Sequence, residues 1–247
     1  MDEIRERYQR VLEEYLTLDT LLRNVENTRF RVCIFGSARI RPTDETYRLV
    51  LNLARQLAYE GIDIVTGGGP GLMEAANRGV HEARTGVSTS YGVTIELPTL
   101  AEMANKHLDV KSSHKRFSLR LDEFMRLTHA VIVASGGIGT LLELAYVWQL
   151  LQVGLIEERP VVLLGKRLWG GLIDWMNREM VRCGFVSPED MELVQVVDSP
   201  EEALEIVREA HQRFLDALAQ RSEAGAPGEM PPAGEAHPPL PSGAPPA

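Results

Sequence analysis

The 247-residue sequence has no long hydrophobic run, only two cysteines, few aromatic residues and no excess of basic residues. No apolar stretch approaches the roughly 20 residues of a membrane-spanning helix, and the N-terminus MDEIRERYQR is too charged for a signal peptide. We therefore expect a cytoplasmic protein without membrane partners. Cys33 and Cys183 are far apart in the chain and form no C-x-x-C pair, so we expect neither a metal site nor a disulfide framework.

The formal net charge of -9 argues against nucleic acid as a partner. Nucleic-acid binding needs clustered Lys and Arg side chains that displace counterions. An acidic surface is nevertheless compatible with a small phosphorylated ligand, because backbone N–H groups and a helix N-terminus can hold its phosphate inside a pocket.

Short apolar runs alternate with segments of helical periodicity after the first 30 residues. Strands are predicted at residues 32–35, 62–65, 91–97, 130–134, 160–164 and 193–197. A long loop is predicted over 100–113, where the periodicity is weak. This alternation predicts a Rossmann-like, doubly wound α/β fold, with a mainly parallel sheet and helices on both faces. We expect the strand order 3-2-1-4-5, to which the sixth predicted strand can add.

The chain divides into three predicted segments. Residues 1–30 contain an amphipathic helix and a linker, and the helix is expected to pack on the domain or on a partner subunit. Residues 31–220 form the Rossmann-like domain. Residues 221–247 are rich in Pro, Gly and Ala and lack the apolar residues needed for a core, so we predict a disordered tail.

Two glycine loops are predicted to meet at one crevice. In an open parallel sheet, ligands bind beyond the carboxyl ends of the strands, where the winding reverses. Gly36-Ser37 ends the first predicted strand and Ser135-Gly136-Gly137 ends the fourth, on either side of that point. Gly136 to Thr140 opens a helix, and such a loop either binds phosphate or is a plain strand-to-helix turn.

A second cluster, Gly67 to Gly71, contains more glycines than a simple turn needs and is expected to form the rim of the crevice. Neither cluster matches the P-loop pattern G-x-x-x-x-G-K-[ST]. The dinucleotide-binding pattern G-x-G-x-x-G is missing after the first strand. This absence argues against a nicotinamide-dependent dehydrogenase.

Several charged side chains near these loops have two interpretations each. Glu143 follows Thr140 by three residues, so it either forms a capping box or places a carboxylate beside a ligand's sugar. Arg120 is either an exposed helix arginine or a cation inside the crevice. Glu74 either contacts ribose hydroxyls or serves at the surface or as a cap. His107 and His114 are interpreted as ordinary polar residues.

Three stretches resemble the LOG (Lonely Guy) family, many of whose members carry the older label "possible lysine decarboxylase". They are FGSAR at 35–39, TGGGPGLMEAANRG at 66–79 and GGIGTLLE at 136–143. The likeness extends from about Arg31 to Ala219. It implies a Rossmann-like fold, a homodimer or higher homo-oligomer, and no cofactor. It also implies hydrolysis of the N-glycosidic bond of a nucleoside 5′-monophosphate (AMP or a cytokinin type) to free base and ribose 5-phosphate.

The resemblance implies Arg120 and Glu143 as the catalytic pair. The residues expected to bind substrate or phosphate lie in or beside the glycine loops: Gly36, Ser37, Gly67, Gly68, Gly69, Glu74, Ser135, Gly136, Gly137, Gly139 and Thr140. Two positions depart from the family signature, since Ser135 replaces its proline and Leu121 replaces the lysine that follows its arginine.

Two other functions compete with the hydrolase. A non-catalytic nucleotide sensor would use the same crevice for binding alone, and a molybdenum-cofactor carrier would hold a phosphorylated cofactor there. Lysine decarboxylation has no support, because nothing marks a lysine for pyridoxal phosphate. Tyr146, Trp148 and Leu150 are interpreted either as an exposed stripe for subunit pairing or as core.

Overall fold

Strands and helices alternate along the chain in the computed structural model, which describes residues 2–26, 28–96 and 104–223. The strands are β1 (Arg31–Phe35), β2 (Asp63–Thr66), β3 (Ser90–Ile95), β4 (Val110–His114), β5 (Ala130–Val133), β6 (Val161–Leu164) and β7 (Gln195–Val197). The α-helices are α1 (Asp2–Glu26), α2 (Glu45–Tyr59), α3 (Leu72–Ala83), α4 (Phe117–Leu127), α5 (Ile138–Gln152), α6 (Lys166–Trp175), α7 (Pro188–Glu192) and α8 (Pro200–Glu223).

The strands form one parallel sheet in the order β4-β3-β2-β1-β5-β6-β7. The α/β fold class, the parallel sheet and the predicted order are therefore confirmed, and the sixth predicted strand is β7. The winding reverses between β1 and β5, as expected, so the carboxyl ends of these two strands flank the predicted crevice.

The predicted long loop was wrong over its last four residues, because residues 110–114 form the edge strand β4. This strand pairs with β3 from Tyr91↔Val110 to Ile95↔His114. Its sequence Val-Lys-Ser-Ser-His has no alternating apolar pattern, and most of it is exposed or half-buried. Backbone pairing with β3 therefore holds β4 in place, and such pairing leaves no signature in side-chain hydropathy.

Two apolar cores cover the two faces of the sheet. Successive side chains of a strand point to opposite faces, and β1 shows this directly. Val32 and Ile34 pack into the core formed with α2, α3 and α8, whereas Cys33 and Phe35 pack into the core formed with α4 and α5. Burial on both faces explains why the central strands are short continuous apolar runs.

Long helices lie at the two ends of the described part of the chain. The N-terminal helix α1 runs to Glu26, and its described apolar side chains, Ile4, Tyr8, Val11, Leu12 and Leu18, are exposed. Helix α8 runs to Glu223, and the rest of the predicted tail, 224–247, lies outside the described residues. No helix in the described ranges is long and apolar enough to span a membrane.

The segment after β6 is helical as predicted, but its second half is a π-helix over Met176–Val181. The suggestion of an exposed pairing stripe on α5 is wrong. Trp148 is buried and donates its indole N–H to the Asp190 carbonyl at 2.7 Å, and Tyr146 and Leu150 pack against the same core. The chain around α7 covers this face of α5, which the helical spacing of α5 alone does not reveal.

Candidate active site

Backbone hydrogen bonds connect three loops at the carboxyl end of the sheet. The Ser37 N–H donates to the Ser135 carbonyl at 3.0 Å, and the Leu72 N–H donates to the Ser37 carbonyl at 3.0 Å. The loop after β1 is thus bonded to the loop after β5 and to the start of α3. Gly71 permits this approach, because its φ is +70° and an added Cβ would lie 2.4 Å from the Ser37 carbonyl oxygen.

A cavity of about 500 Å³ opens between these loops. Eight of the thirteen predicted site residues line it: Gly36, Ser37, Gly67, Arg120, Gly137, Gly139, Thr140 and Glu143. The topology of the sheet therefore brings together residues that lie more than 100 positions apart in the sequence.

Arg120 is a buried side chain on α4 that the surrounding backbone holds in place. Its Nε donates to the Val93 carbonyl at 2.8 Å, and its Nη2 donates to the Gly67 carbonyl at 3.5 Å. The guanidinium carbon also lies 5.2 Å from the centre of the Phe124 ring, within cation–π range. The interpretation of Arg120 as an exposed helix arginine is wrong, since the residue is only 8% exposed.

Glu143 faces Arg120 across the cavity wall. Arg120 Nη1 and Glu143 Oε1 are 3.8 Å apart, and the two side chains are 9% and 14% exposed. The capping-box interpretation of Glu143 is wrong, because Gly137 occupies the N-cap position of α5 and Thr140 is already inside the helix. The site therefore contains a carboxylate and a guanidinium, paired and mostly shielded from solvent.

The Cys33 thiol lies within the electrostatic reach of this pair. Complete burial, followed by the charge of Glu143, raises the pKa of Cys33 well above its ordinary value, and Arg120 opposes the shift. Cys33 is therefore a neutral thiol that acts as a small buried side chain behind the pair.

The N-terminus of α5 forms the other wall of the cavity. Gly137, Gly139 and Thr140 line it, and the first N–H groups of a helix have no intrahelical acceptor, which makes such an end suited to an anion. Gly136 has a different role, because an added Cβ would lie 2.1 Å from Thr140 Oγ1, whereas a Cβ on Gly137 or Gly139 would meet open space. Gly136 thus allows the tight turn, and the other two glycines leave room for a ligand.

Five predicted site residues do not line the cavity: Gly68, Gly69, Glu74, Ser135 and Gly136. Glu74 is half-buried, and its charge acts on Tyr47 of α2. The pKa of Tyr47 is raised mainly by burial and secondly by the negative charge of Glu74. Ser135 contributes its carbonyl to the loop contact with Ser37. Leu121, at the position of the signature lysine, is a core residue that is 6% exposed.

Sequence reasoning missed several residues that line the cavity. These are Ile34, Phe35, Ala38, Arg39, Met73, Ile95, Phe117 and Ile138. Arg39 and Met73 lie inside the quoted glycine-loop stretches, so their position was an available signal. Phe117 and Ile95 had no local signal, because α4 and β3 come to the cavity only through the sheet order.

No group of three or more His, Cys, Asp or Glu side chains suited to a metal ion occurs within residues 2–26, 28–96 and 104–223. The cavity offers an arginine–carboxylate pair, a helix N-terminus and a mixed apolar wall. These features define a Rossmann-like α/β protein with a cavity at the switch point of its sheet, where proteins of this fold bind ligands.

Comparison with known proteins identifies the family. The chain belongs to the LOG family, whose model bears the description "Possible lysine decarboxylase" and matches residues 73–207. The chain is 31% identical over 202 residues to the probable cytokinin riboside 5′-monophosphate phosphoribohydrolase LOGL3 of Oryza sativa subsp. japonica, covering 78% of this chain and 92% of the relative.

Two further matches are more distant. A pyrimidine/purine nucleotide 5′-monophosphate nucleosidase of Escherichia coli K12 is 28% identical over 130 residues, which cover 50% of this chain and 29% of that protein. The molybdenum cofactor binding protein of Rippkaea orientalis superposes with a TM-score of 0.55 at 22% identity, over 73% of this chain and 96% of that one. At that identity the structural match shows a shared fold only.

Proposed function

We propose that this protein hydrolyses the N-glycosidic bond of a nucleoside 5′-monophosphate, releasing the free base and ribose 5-phosphate. The observation that carries the proposal is the Arg120–Glu143 pair, 3.8 Å apart, in the wall of the cavity that the N-terminus of α5 also lines. Membership of a family whose curated relatives are named phosphoribohydrolases and nucleosidases supports it.

The 5′-phosphate is assigned to the N-terminus of α5. The N–H groups at this helix end and the Thr140 hydroxyl suit an anion, and the glycines at 137 and 139 leave space for it. Arg39, which also lines the cavity, adds a cationic side chain. The phosphate is remote from the bond that breaks, and its binding energy positions the ribose for reaction.

Glu143 is assigned the chemical step. Breaking the C1′–N bond leaves the electron pair with the base and builds positive charge on the ribose, in an oxocarbenium-like transition state. The carboxylate stabilises that charge and accepts a proton from the water whose oxygen bonds to C1′. The departing base takes up one proton from solvent and Glu143 later releases its own to solvent, so that one water is consumed overall. Arg120 orients Glu143, because its own position is fixed by hydrogen bonds to the Val93 and Gly67 carbonyls.

The apolar part of the cavity is assigned to the base. Met73, Ile95 and Phe117 line the cavity, and the flat aromatic ring of a base suits an apolar wall of this kind.

A second subunit is expected at the mouth of the cavity. Phe117 and Ile138 line the cavity yet are 48% and 83% exposed, and exposed apolar side chains beside a site suit burial by another copy. A homodimer by light scattering would agree with this expectation, and a monomer at micromolar concentration would contradict it.

The test is to incubate the purified protein with AMP, other nucleoside 5′-monophosphates and adenosine, and to separate the products by chromatography. We expect free base and ribose 5-phosphate in equal amounts from a monophosphate, and far slower release from adenosine, which lacks the anchoring phosphate. Absence of cleavage, combined with a rise in melting temperature on adding AMP, would replace the hydrolase by a nucleotide sensor. Copurification of a pterin would instead favour a cofactor carrier.

A further inference from the structure

The loop from Gly67 to Gly71 is held by a network of buried polar side chains. Thr66, Asn77 and Ser90 are all completely buried. Thr66 Oγ1 donates to Asn77 Oδ1 at 2.8 Å, and Asn77 Nδ2 donates to Ser90 Oγ at 2.8 Å. The Gly68 N–H donates to Thr66 Oγ1 at 2.9 Å, so the network reaches the backbone of the glycine loop.

Asn105 joins this network from outside the three stretches that resemble the family. Its Nδ2 lies within hydrogen-bond distance of the Gly68 carbonyl (3.1 Å), the Gly69 carbonyl (3.0 Å) and Asn77 Oδ1 (2.9 Å). Its backbone N–H also donates to the Gly68 carbonyl at 2.8 Å. One residue thus holds two successive carbonyls of the loop and the side chain beneath them.

The same loop holds Arg120. The Gly67 carbonyl accepts from Arg120 Nη2, and an added Cβ on Gly67 would lie 2.4 Å from that nitrogen, so the guanidinium packs directly on the Gly67 backbone. Gly67 lies between Thr66 and Gly68, and the network fixes both. A shift of the loop therefore changes the surface on which Arg120 packs, and Arg120 in turn faces Glu143.

We propose that Asn105 is a positioning residue that fixes the glycine loop beneath Arg120 and so sets the alignment of the Arg120–Glu143 pair. Asn105 contributes to the reaction through the loop and does not contact the reacting atoms. The kinetic part of this inference rests on the proposed hydrolase function, and the placement of Arg120 does not.

The variant Asn105→Asp isolates the donor role. In the wild-type protein Asn105 Oδ1 accepts from the His107 N–H at 3.0 Å, and a carboxylate can still accept this bond. The carboxylate side chain cannot donate to the Gly68 and Gly69 carbonyls. The matched control is Asn52→Asp on α2, where the side chain acts as the acceptor from Arg55 at 2.8 Å and a carboxylate can replace it. Asn105→Ser, which retains one hydroxyl donor, serves if Asn105→Asp fails to fold.

Two measurements test the proposal. The first is the hydrogen exchange rate of the Arg120 Nε–H by NMR, with the signal assigned by its loss in Arg120→Lys. We expect at least tenfold faster exchange in Asn105→Asp and no change in Asn52→Asp. The second is the steady-state kinetics with AMP, where kcat should fall about tenfold with KM changed less than threefold, since the phosphate site on α5 is untouched.

Unchanged exchange and unchanged kcat in a folded Asn105→Asp variant would overturn the proposal, even if the melting temperature fell. A rise in KM alone would also overturn it, because Asn105 would then act on binding and not through Arg120. If the wild-type protein cleaves no nucleotide, the proposed function fails, and the exchange rate of the Arg120 Nε–H still decides the role of Asn105.

Discussion

Two arginine–carboxylate pairs lie at opposite ends of the sheet and differ in the distance between their charged groups. At the amino end, Asp63 accepts from Arg29 Nε at 2.8 Å and from Arg29 Nη2 at 2.6 Å. The Thr89 N–H donates to the same carboxylate at 2.8 Å. At the carboxyl end, Arg120 and Glu143 approach only to 3.8 Å, and both line a cavity.

The difference separates a structural pair from a candidate catalytic one. Hydrogen bonds to Asp63 stabilise the guanidinium and raise the pKa of Arg29, and the short bidentate contact joins the start of β2 to the chain before β1. Such a pair has no room for a ligand. The Arg120–Glu143 pair is wider and lies where open parallel sheets bind ligands, so its geometry suits a group that acts on a substrate.

The largest expected effect is a loss of kcat when the Arg120–Glu143 pair is broken. Glu143→Gln removes the carboxylate charge while keeping the shape, so kcat for AMP should fall by about 10²- to 10⁴-fold, the usual contribution of a general acid or base. The initial rate of base release, measured by chromatography, gives the effect. A kcat within threefold of the wild-type value would remove Glu143 from the mechanism.

The second effect is a loss of stability, without a loss of activity, when the Asp63 pair is broken. Asp63→Asn removes the carboxylate that faces the partly exposed Arg29 and the buried Arg31, and leaving the Arg31 charge uncompensated should cost about 3 kcal/mol in the free energy of unfolding. Urea denaturation measures this cost, while kcat per folded molecule should stay unchanged. Glu82→Gln, which breaks the exposed pair with Arg78, is the control and should cost less than about 0.5 kcal/mol. Equal costs in both variants would contradict the comparison.

A third effect concerns pH at the amino end. His129 packs against Phe30 and Phe214, with ring centroids 5.3 and 4.8 Å away, and its Nδ1 accepts from the Arg31 N–H at 3.2 Å. Burial, followed by the charges of Arg159 and Arg31, lowers the pKa of His129 to about 4. The unfolded imidazole gains a proton as pH falls through about 6.5, but the folded one does so only near 4.

Because the unfolded state binds the extra proton in this window, stability falls as pH drops from about 6.5 and the loss is complete near 4. We expect His129 to account for about 2 kcal/mol of lost unfolding free energy between roughly pH 7 and 4.5. Urea denaturation at both pH values should show a smaller loss in His129→Gln. An identical loss in the variant would show that other groups cause it.

The fold was predictable because its central strands are buried on both faces and read as short apolar runs such as Val-Cys-Ile-Phe. The edge strand β4 was not, since Val-Lys-Ser-Ser-His is held by backbone bonds to β3. The pairing stripe on α5 was misjudged for a related reason. The burial of Trp148 depends on Asp190, which is 42 residues away in the chain.

The candidate site was predictable where chemistry is local. The glycine loops and the helix they open predict an anion site from sequence alone, and the family likeness singles out Arg120 and Glu143. The Asn105 contacts were not predictable, because they join a loop of weak periodicity to a motif 36 and 37 residues earlier. The two interpretations of Glu143 separated only when α5 was seen to begin at Ile138.

The smallest effect tests whether the alignment of the Arg120–Glu143 pair depends on the Gly67 backbone on which Arg120 packs. An added methyl in Gly67→Ala would lie 2.4 Å from Arg120 Nη2 and 2.7 Å from Met73 Sδ. Both atoms lie at or near the far end of a long side chain, so the fold should survive while Arg120 moves away from its position beside Glu143. We expect kcat to fall about tenfold, or about 1.4 kcal/mol in the activation barrier.

Gly170→Ala is the matched control, because an added Cβ there meets nothing within 4 Å on a helix away from the cavity. Its kcat should equal that of the wild-type protein. If Gly67→Ala also retains full kcat, the alignment of Arg120 with Glu143 does not limit the reaction. The 3.8 Å separation would then be no more functional than the tighter Asp63 pair, and the distinction between the two ends of the sheet would rest on Glu143 alone.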